Sequence, residues 1–379
     1  MNEVCIVAAR RTPFGRFLGS LSRMSSVELA GHAGAAALEG LDRSQVDQVT
    51  VGNILSAGSG MNIARQIGVN LGLPIATPAF TVNMMCASGM QAIALAAQAI
   101  RVGDARCVLC GGTESMSNAP HLLPRSRAGI KLGDGELIDS LLCDGLVDAF
   151  DHRHMAFTAE ALAEKFGITR LEQDVFARKS QQRYASATEN GVFADELVPH
   201  DRLAADEHPR SDTTDVSLAE LKPAFDPAGT ITAGNASGLN DGAAMLVLAD
   251  RKFAEAKDWP IMAVVDATAT VGCDPKEMGL GPVHAIRKLV GESWNRFDAI
   301  EINEAFAAQV LACLHELKLD AGEINPNGGA IAVGHPIGAS GARLVGHLAW
   351  RIRRGEIGTG LASLCVGGGM GSVVSLRSV

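Results

Sequence analysis

An internal repeat constrains the fold of this chain more than any other feature of its sequence. Residues 86–89 read Cys-Ala-Ser-Gly, and residues 338–341 read Gly-Ala-Ser-Gly. Further segments match in the same order: residues 4–9 with 263–267, 47–51 with 298–302, 103–104 with 355–356, and 107–112 with 361–368. Because these matches keep a nearly constant separation, we interpret the chain as two similar halves.

Each half alternates short apolar segments with alanine-rich segments such as residues 87–101 and 340–353. The apolar segments are typical of strands and the alanine-rich segments are typical of helices. Of the 379 residues, 47% are hydrophobic and 20% are charged, which suffices for a large core. The sequence therefore predicts an α/β fold in which helices cover the sheets.

A segment of different character, residues 116–235, separates the two halves. It holds most of the Pro, His, Arg and Asp clusters, and such a polar excursion is usually a lid or a binding segment. Helices are predicted within it at residues 158–166 and 170–186, and the apolar run 243–249 predicts a strand that returns to the first half. We divide the chain accordingly into an N-terminal half of residues 1–115 and 236–260, a loop domain of residues 116–235, and a C-terminal half of residues 261–379.

The net charge of −9 and the spacing of the cysteines argue against several classes of protein. An acidic chain is a poor binder of nucleic acid, so any charge that binds an anionic ligand must be local. The sequence shows no apolar run of membrane-spanning length and no signal-peptide order in its first residues. The eight cysteines form no dense disulfide framework. We therefore expect a cytoplasmic protein that binds neither nucleic acid nor membrane.

Cys86 and His335 are the first two candidate site residues. Cys86 lies where an apolar strand ends and a helix begins, and a helix N-terminus favours a thiolate and can hold an oxyanion. A buried structural cysteine is the equal alternative. His335 lies between Gly334 and Pro336 in a glycine-rich loop, where an imidazole is suited to deprotonating a thiol. A histidine that only caps the loop is its alternative.

Two further segments contain candidate residues. Cys365 ends an apolar strand and faces the glycines of residues 367–369, which indicates a second reactive thiol. A dinucleotide-binding loop is excluded because only eight residues follow Gly371, too few for the helix and strand that such a loop needs. Asn303 and Glu304 lie at a junction between strand and helix, where a plain helix cap is a strong alternative.

Other patterns in the sequence are weaker indications of a site. Cys107 and Cys110 have the spacing of a redox or zinc motif, but they lie in an apolar strand whose alternation separates their faces. His152 and His154 lack partner ligands at convincing spacing. A phosphate-binding P-loop is missing from the sequence. We therefore expect no metal site.

The repeat predicts which candidate residues meet. Two similar halves packed face to face bring equivalent loops together near a pseudo-twofold axis. The turn at Cys86 and the loop at residues 335–340 occupy related places in the two halves, and Cys365 lies at the matching strand end. We therefore expect Cys86, His335 and Cys365 to share one pocket.

Together, these motifs resemble those of the thiolase family over the whole chain. The matching segments are residues 82–89, 234–243, 303–306, 334–341 and 365–371. Each segment alone is unspecific, whereas their combination is highly specific. Within the family, the chain most closely resembles the biosynthetic-type acetyl-CoA acetyltransferases.

The resemblance implies a thiolase fold, with two duplicated α/β halves in five layers, αβαβα, and an inserted loop domain that binds CoA. It also implies the condensation of two acetyl-CoA molecules to acetoacetyl-CoA and the reverse thiolysis. His335 would deprotonate Cys86, which would carry the acetyl group, and Cys365 would take a proton from the second acetyl-CoA. The N–H groups of Cys86 and Gly367 would bind one thioester oxygen, and His335 with a water held by Asn303 would bind the other.

The resemblance also assigns residues to substrate binding. Arg210, Ser237, His154 and Met155 would bind CoA, and Arg210 would supply the local positive charge that phosphates need. The acyl pocket would be lined by bulky side chains that favour acetyl or acetoacetyl groups, namely Leu146, Met155, Phe225, Met278 and Phe306. No tightly bound cofactor is implied, because acetyl-CoA, acetoacetyl-CoA and CoA are substrates, and the assembly implied is a homotetramer.

One segment departs from the family pattern, which usually has Gly after His-Met in the segment that covers the site. Here Ala156 removes a flexible backbone position and Phe157 adds bulk. The departure leaves the two catalytic thiols in place. It leaves open which chain lengths and branched acyl groups the site prefers.

Three alternative functions are weighed against the acetyltransferase reading. A degradative 3-ketoacyl-CoA thiolase would use the same chemistry on longer chains. A non-catalytic protein of the same fold would bind CoA or lipid, although the presence of all the reactive positions argues against it. A redox or zinc protein would use Cys107 and Cys110.

Overall fold

A computed structural model of the chain describes residues 2–379. The strands, in chain order, are β1 Val4–Arg11, β2 Gly15–Arg16, β3 Gln48–Gly52, β4 Ala79–Val82, β5 Cys107–Ser115, β6 His121–Leu122, β7 Ile138–Asp139, β8 Asn240–Asp250, β9 Ala263–Gly272, β10 Ala299–Ile302, β11 Thr359–Val366 and β12 Met370–Arg377.

The α-helices, in the same order, are α1 Ser26–Ala37, α2 Ile63–Asn70, α3 Ser88–Val102, α4 Ala156–Phe166, α5 Arg170–Glu189, α6 Asp215–Ala219, α7 Arg251–Ala256, α8 Gly281–Val290, α9 Ala307–Leu317, α10 Ala330–Val333 and α11 Ser340–Arg353. Short 3-10 turns span Arg43–Gln45, Met116–Asn118, Ser126–Ala128, Pro275–Leu280 and Trp294–Arg296, and a π-helical turn spans Leu141–Leu146.

The main sheet repeats one strand pattern twice. Its order is β10-β11-β12-β9-β1-β8-β5-β3-β4, with β2 paired to β8. In the first half, β5 is parallel to β3 and antiparallel to β8, which is antiparallel to β1. In the second half, β11 is parallel to β10 and antiparallel to β12, which is antiparallel to β9. The predicted duplication is therefore confirmed, and a short pairing of β1 with β9 joins the two half-sheets along one edge.

Helices cover both faces of each half-sheet. Helices α3 and α11 lie between the half-sheets, in a core cluster that includes Ile93 and Leu348. Helices α1 and α2 pack on the outer face of the first half, and α8 and α9 pack on the outer face of the second. The sequence of helix, sheet, helix, sheet and helix is the five-layered αβαβα arrangement that was predicted.

Helices α3 and α11 approach each other closely near their N-termini because small residues line the contact. A Cβ atom at Gly89 would lie 2.6 Å from the carbonyl oxygen of Gly338, and one at Gly341 would lie 2.7 Å from the Cβ of Met90. A larger side chain at either glycine would push the helices apart. The contact brings the loops that precede the two helices to one place in the fold.

The middle segment leaves the sheet after β5 and returns through β8, which pairs with β1 and β5 as predicted for the return strand. It contains α4, α5, α6 and the small β6–β7 ladder. Helix α5 begins at a capping box formed by Thr169 and Glu172. The division of the chain into three parts stays a prediction. Across residues 2–379, no helix is both long enough and apolar enough to cross a membrane.

Candidate active site

Cys86 lies in the tight turn between β4 and α3. Met85, the residue before it, has a positive φ of 45°. The Ser88 hydroxyl fixes the turn, because it accepts from the backbone N–H of Met84 at 2.8 Å and donates to the carbonyl of Met85 at 2.7 Å. The sequence predicted this junction of strand, turn and helix, and the turn directs the buried sulfur into the fold.

The acidity of Cys86 differs from what its position predicts. The start of a helix predicts a stabilised thiolate, but burial raises the pKa of Cys86 to about 11. Backbone N–H groups of Gly367 and of Cys86 itself hydrogen bond to the sulfur and lower the pKa, and burial outweighs them. The resting residue is therefore a thiol, which needs a base in order to act as a nucleophile.

His335 is held at both ring and backbone in the loop between α10 and α11. Its backbone N–H donates to Asn240 Oδ1 at 2.9 Å, and its ring Nδ1 lies 2.6 Å from Ser340 Oγ. The Ser340 hydroxyl donates to the carbonyl of Pro336 at 3.0 Å, so Nδ1 must be the donor to Ser340 and Nε2 keeps its lone pair. Burial lowers the pKa of His335 to about 4, so the ring is a neutral base at pH 7.

Asn303 contacts the reactive edge of His335. Its Nδ2 lies 3.4 Å from His335 Nε2, a long and weak hydrogen bond. The backbone N–H of Asn303 donates to the Ser363 carbonyl at 3.0 Å, which anchors the residue just beyond β10. Asn303 thus lies beside His335, close enough for the shared role that the family resemblance implies.

Cys365 lies near the end of β11 and is buried. Its pKa is raised well above the ordinary thiol value, first by burial and then by the charge that Cys86 would carry. Gly368 and Gly369 have φ values of 83° and 84°, and they turn the chain from β11 into β12. The glycine run is therefore a hairpin turn, in agreement with the rejection of a dinucleotide-binding loop.

One apolar cavity of about 560 Å³ brings the candidate residues together. Cys86, His335 and Cys365 all line it. The predicted substrate-binding residues also line it: Leu146, His154, Met155, Arg210, Phe225, Ser237, Met278 and Phe306. Asn303 and Gly367 lie behind the lining, and a Cβ atom at Gly367 would be 2.7 Å from Met155 Sδ. Glycine at this position therefore lets the covering segment approach the two thiols.

The cavity has an apolar body and a polar mouth. The ring of His154 stacks on that of Phe225 with centroids 4.3 Å apart, and Met155, Met278 and Phe306 belong to one apolar cluster. Arg210 is exposed at the rim, in a segment whose backbone is tied to the protein by a 2.9 Å hydrogen bond to Gln181. The cavity thus joins a mainly apolar interior to a cationic side chain at its rim.

The departure at residues 156 and 157 has less effect on the cavity than its sequence suggests. Phe157 packs against Arg153, whose guanidinium carbon lies 4.0 Å from the ring centroid. It lines a separate open cavity of about 500 Å³ together with Glu160. Its bulk is therefore not part of the acyl pocket. Ala156 is buried at the start of α4 and donates its N–H to His154 Nδ1 at 3.1 Å.

Several residues that contribute to the site were missed at the sequence level. His208 lines the cavity beside Arg210, and burial with neighbouring positive charge lowers its pKa to about 4. Ser340 and Asn240 fix the ring and backbone of His335. Ser340 lies within a recognised motif, so its spacing of five residues from His335 was an available signal. Asn240 approaches from β8 and also lies within a recognised segment, residues 234–243, but its distance in sequence from His335 gave no sign of their contact.

The structure separates the weaker candidates from the cavity. Cys107 packs in the outer core cluster and Cys110 in the inner one, so their thiols face opposite sides of β5. His152 is exposed, whereas His154 lines the cavity. In the described part of the chain, no group of three or more His, Cys, Asp or Glu side chains is arranged to hold a metal ion.

Comparison with known proteins agrees with the geometry. Residues 4–252 match the family described as the thiolase N-terminal domain, and residues 259–378 match the thiolase C-terminal domain. The chain is 48% identical to a Pseudomonas aeruginosa protein named acetyl-CoA acetyltransferase, with 99% of each chain covered. It is 46% identical to one of the same name from Cupriavidus necator, with 100% of each covered.

Solved structures give the same result. The crystal structure of the Bacillus anthracis acetyl-CoA acetyltransferase superimposes with a TM-score of 0.96 at 41% identity, covering 100% of this chain and 99% of the other. Human mitochondrial 3-ketoacyl-CoA thiolase in complex with CoA superimposes with a TM-score of 0.96 at 42% identity, covering 100% and 98%. From its sequence, its five-layered fold and these relatives, the chain belongs to the thiolase family.

Proposed function

We propose that the chain is an acetyl-CoA C-acetyltransferase, which condenses two acetyl-CoA molecules to acetoacetyl-CoA and CoA and also catalyses the reverse thiolysis. The single observation that carries this proposal is the cavity in which two buried thiols and one neutral imidazole meet. Full-length similarity to proteins named acetyl-CoA acetyltransferase supports the same substrate.

In the first half-reaction, His335 Nε2 accepts the proton of Cys86 and the thiolate attacks the carbonyl carbon of acetyl-CoA. The resulting oxyanion is held by the N–H groups of Cys86 and Gly367, which converge beside the sulfur. The C–S bond to CoA then breaks, and the proton on His335 passes to the departing CoA sulfur. The product is an acetyl thioester on Cys86.

In the second half-reaction, Cys365 passes its proton to His335 and takes a proton from the α-carbon of a second acetyl-CoA. Protonated His335 and a water held by Asn303 stabilise the enolate oxygen. The enolate carbon attacks the acetyl group on Cys86, the bond to Cys86 sulfur breaks, and that sulfur recovers the proton from His335. Acetoacetyl-CoA is released, and Cys86, His335 and Cys365 are back in their starting protonation states. In thiolysis the steps run backwards, and Cys365 gives its proton to the α-carbon of the departing acetyl-CoA.

The acid–base properties of the buried groups are consistent with this sequence of steps. An α-proton beside a thioester is weakly acidic, so its removal needs a strong base, and the raised pKa of Cys365 makes its thiolate a strong one. The lowered pKa of His335 keeps the ring neutral at pH 7, so its Nε2 lone pair is free, although the ring is a weaker base than an exposed histidine. Burial disfavours each isolated charge, so we expect thiolate and imidazolium to exist only as a pair.

A degradative 3-ketoacyl-CoA thiolase is the second candidate, favoured by the similarity to the human 3-ketoacyl-CoA thiolase and by the size of the cavity. Thiolysis of 3-ketoacyl-CoA substrates of increasing length separates the two. We expect kcat/KM to be highest for acetoacetyl-CoA and to fall by roughly tenfold or more for the six-carbon substrate. A maximum at eight or more carbons would favour the degradative enzyme, and the absence of any thiolysis would contradict both.

We propose that CoA binds through Arg210 and Ser237 at the rim and through His154 and Met155 in the covering segment. Leu146, Phe225, Met278 and Phe306 would form the remaining walls of the acyl pocket. The solved CoA complex of the related human thiolase supports a CoA thioester as the substrate. All eight cysteines are free, which suits a reducing cytoplasm.

Replacing Arg210 with alanine is expected to raise KM for acetyl-CoA and acetoacetyl-CoA by about tenfold and to change kcat by less than about twofold, because one charge-assisted phosphate contact is lost far from the thiols. Steady-state thiolysis at low ionic strength measures both constants. Arg23→Ala, at another exposed arginine that does not line the cavity, is the matched control and should leave both unchanged. An unaltered KM in Arg210→Ala would show that Arg210 does not bind CoA.

We also propose a homotetramer. Strand β4 is the end strand of the sheet, and apolar side chains are exposed beside it at Met61, Ile75 and Phe80. An unpaired edge with apolar neighbours is suited to pairing with a second copy. Leu132 and Leu137 are exposed in the β6–β7 segment, which offers a second apolar surface for joining two dimers.

A further inference from the structure

Glu114 is a buried carboxyl group that the proposed mechanism does not use. It lies near the end of β5 with none of its surface exposed. Among residues 2–379, no Lys, Arg or His forms an ion pair with it, and Asp241 adds nearby charge of the same sign. Burial raises its pKa to about 8. A buried carboxyl without a cationic partner destabilises the folded state, which makes Glu114 a candidate for a functional role.

The carboxyl group of Glu114 lies between polar groups of two different loops. From the loop after β3, Asn53 Nδ2 donates at 2.7 Å, the N–H of Leu55 at 3.1 Å and the N–H of Ile54 at 3.2 Å. From the loop before α11, Gly338 lies against Oε2 of the same carboxyl group, and its N–H lowers the pKa of Glu114. Glu114 therefore joins a loop of the first half to a loop of the second half.

The second of these loops is the one that carries the base. Gly338 lies three residues after His335, and Ile337 between them lines the cavity. A Cβ atom at Gly338 would lie 2.8 Å from Glu114 Oε2. The same Cβ atom would lie 2.4 Å from the carbonyl oxygen of Thr113, so the loop that carries His335 packs closely against the end of β5, where Glu114 lies.

The same region also fixes the position of Cys86. Gly89, in the first turn of α3, lies against the carbonyl oxygen of Gly338. The charge of Glu114 is close enough to Cys86 to raise its pKa. A hydrogen-bonded carboxyl thus lies close both to the loop that carries His335 and to the turn that carries Cys86.

We infer that Glu114 is a positioning residue that sets the distance between His335 and Cys86 by binding the N–H of Gly338 on one side and the residue 53–55 loop on the other. This inference rests on the proposed function. Glu114 does not line the cavity, and the proposed CoA residues Arg210 and Ser237 do. Its loss should therefore lower the rate of the chemical steps while leaving substrate binding intact.

Glu114→Gln, assayed above pH 8 where the carboxylate of Glu114 is ionised, is the direct test, because glutamine has the same shape but presents an NH₂ group to donors that need an acceptor. We expect kcat for acetoacetyl-CoA thiolysis to fall by roughly 10- to 100-fold, because displacements near 1 Å have effects of this size. KM should change by less than about twofold. If this variant does not fold, Asn53→Ala removes one donor and should lower kcat by roughly three- to tenfold, again at constant KM.

Glu196→Gln is the matched control for a loss of stability alone. Glu196 is a buried carboxylate that pairs with Arg11 and His347, each at 2.8 Å, and does not line the active cavity. We expect a lower melting temperature with an unchanged kcat per folded enzyme. A kcat within about twofold of wild type in both Glu114→Gln and Asn53→Ala would overturn the inference, as would equal changes in kcat and KM. Inactive wild-type enzyme would instead contradict the proposed function.

Discussion

Replacing Cys86 with alanine is expected to lower kcat for acetoacetyl-CoA thiolysis by roughly 10⁴-fold or more, because no other group can carry the acyl intermediate. The substitution removes one sulfur from a pocket that keeps its other walls, so the fold should persist. Stopped-flow or steady-state absorbance of the 3-ketothioester measures the loss. Binding of CoA to the variant, measured by calorimetry, should stay within a few-fold of wild type.

Cys107→Ala is the control for this experiment. Cys107 is equally buried, but it packs in the outer cluster of the first half and does not line the cavity. Its removal should change stability modestly and leave kcat within about twofold. Turnover by Cys86→Ala within about tenfold of wild type would exclude Cys86 as the nucleophile.

Replacing Cys365 with alanine should block the second half-reaction and leave the first half-reaction intact. Without Cys365, no base is placed to remove the α-proton, so condensation and thiolysis should fall by roughly 10³-fold or more. Cys86 and His335 are untouched, so acetyl-CoA should still acetylate the enzyme and release about one equivalent of CoA per site. A thiol-reactive dye that reports free CoA would show a single burst with no continued turnover.

Cys5→Ala serves as the control for Cys365→Ala. Cys5 is fully buried in β1, and it packs in the outer cluster of the first half, away from the cavity. It should retain both the burst and the continued turnover. If Cys365→Ala lost the burst as well, Cys365 would be needed for acylation, and the assignment of separate roles to the two thiols would be wrong.

The fold was largely predictable because duplication leaves a signal that does not depend on tertiary contacts. The repeat placed β3, β5 and β1 opposite β10, β11 and β9 before any contact was known, and glycines at equivalent positions allowed α3 and α11 to meet. The junction of the two half-sheets through β1 and β9 had no such signal. It depends on only two residue pairs, Cys5 with Val264 and Ile6 with Ala263.

The meeting of Cys86, His335 and Cys365 in one cavity was predictable, whereas their environment was not. Cys86, His335 and Cys365 each lie beside glycines at the end of a strand or the start of a helix, and the sequence shows this directly. The raised pKa of Cys86 arises from its burial. Such burial is a property of the packed fold, so local context predicted the opposite direction.

The orientation of single side chains could not be predicted from the sequence either. The sequence left open whether the bulk of Phe157 changes the acyl preference, and helix α4 turns this side chain toward Arg153 on another face. Glu114 appears in the sequence as one carboxyl at the end of an apolar strand, and its partners at residues 53–55 and 338 come from both halves. Contacts of this kind follow from the final packing of loops rather than from spacing.

The acyl-enzyme itself tests the central claim most directly. Wild-type enzyme and Cys365→Ala would be mixed with acetyl-CoA in the absence of other thiols, quenched in acid, digested and mapped by mass spectrometry. We predict one acetyl group on the peptide that contains Cys86, in near-stoichiometric amount for Cys365→Ala, and its removal when CoA is added before the quench. An acetyl group on a different residue, or none in either protein, would contradict the account.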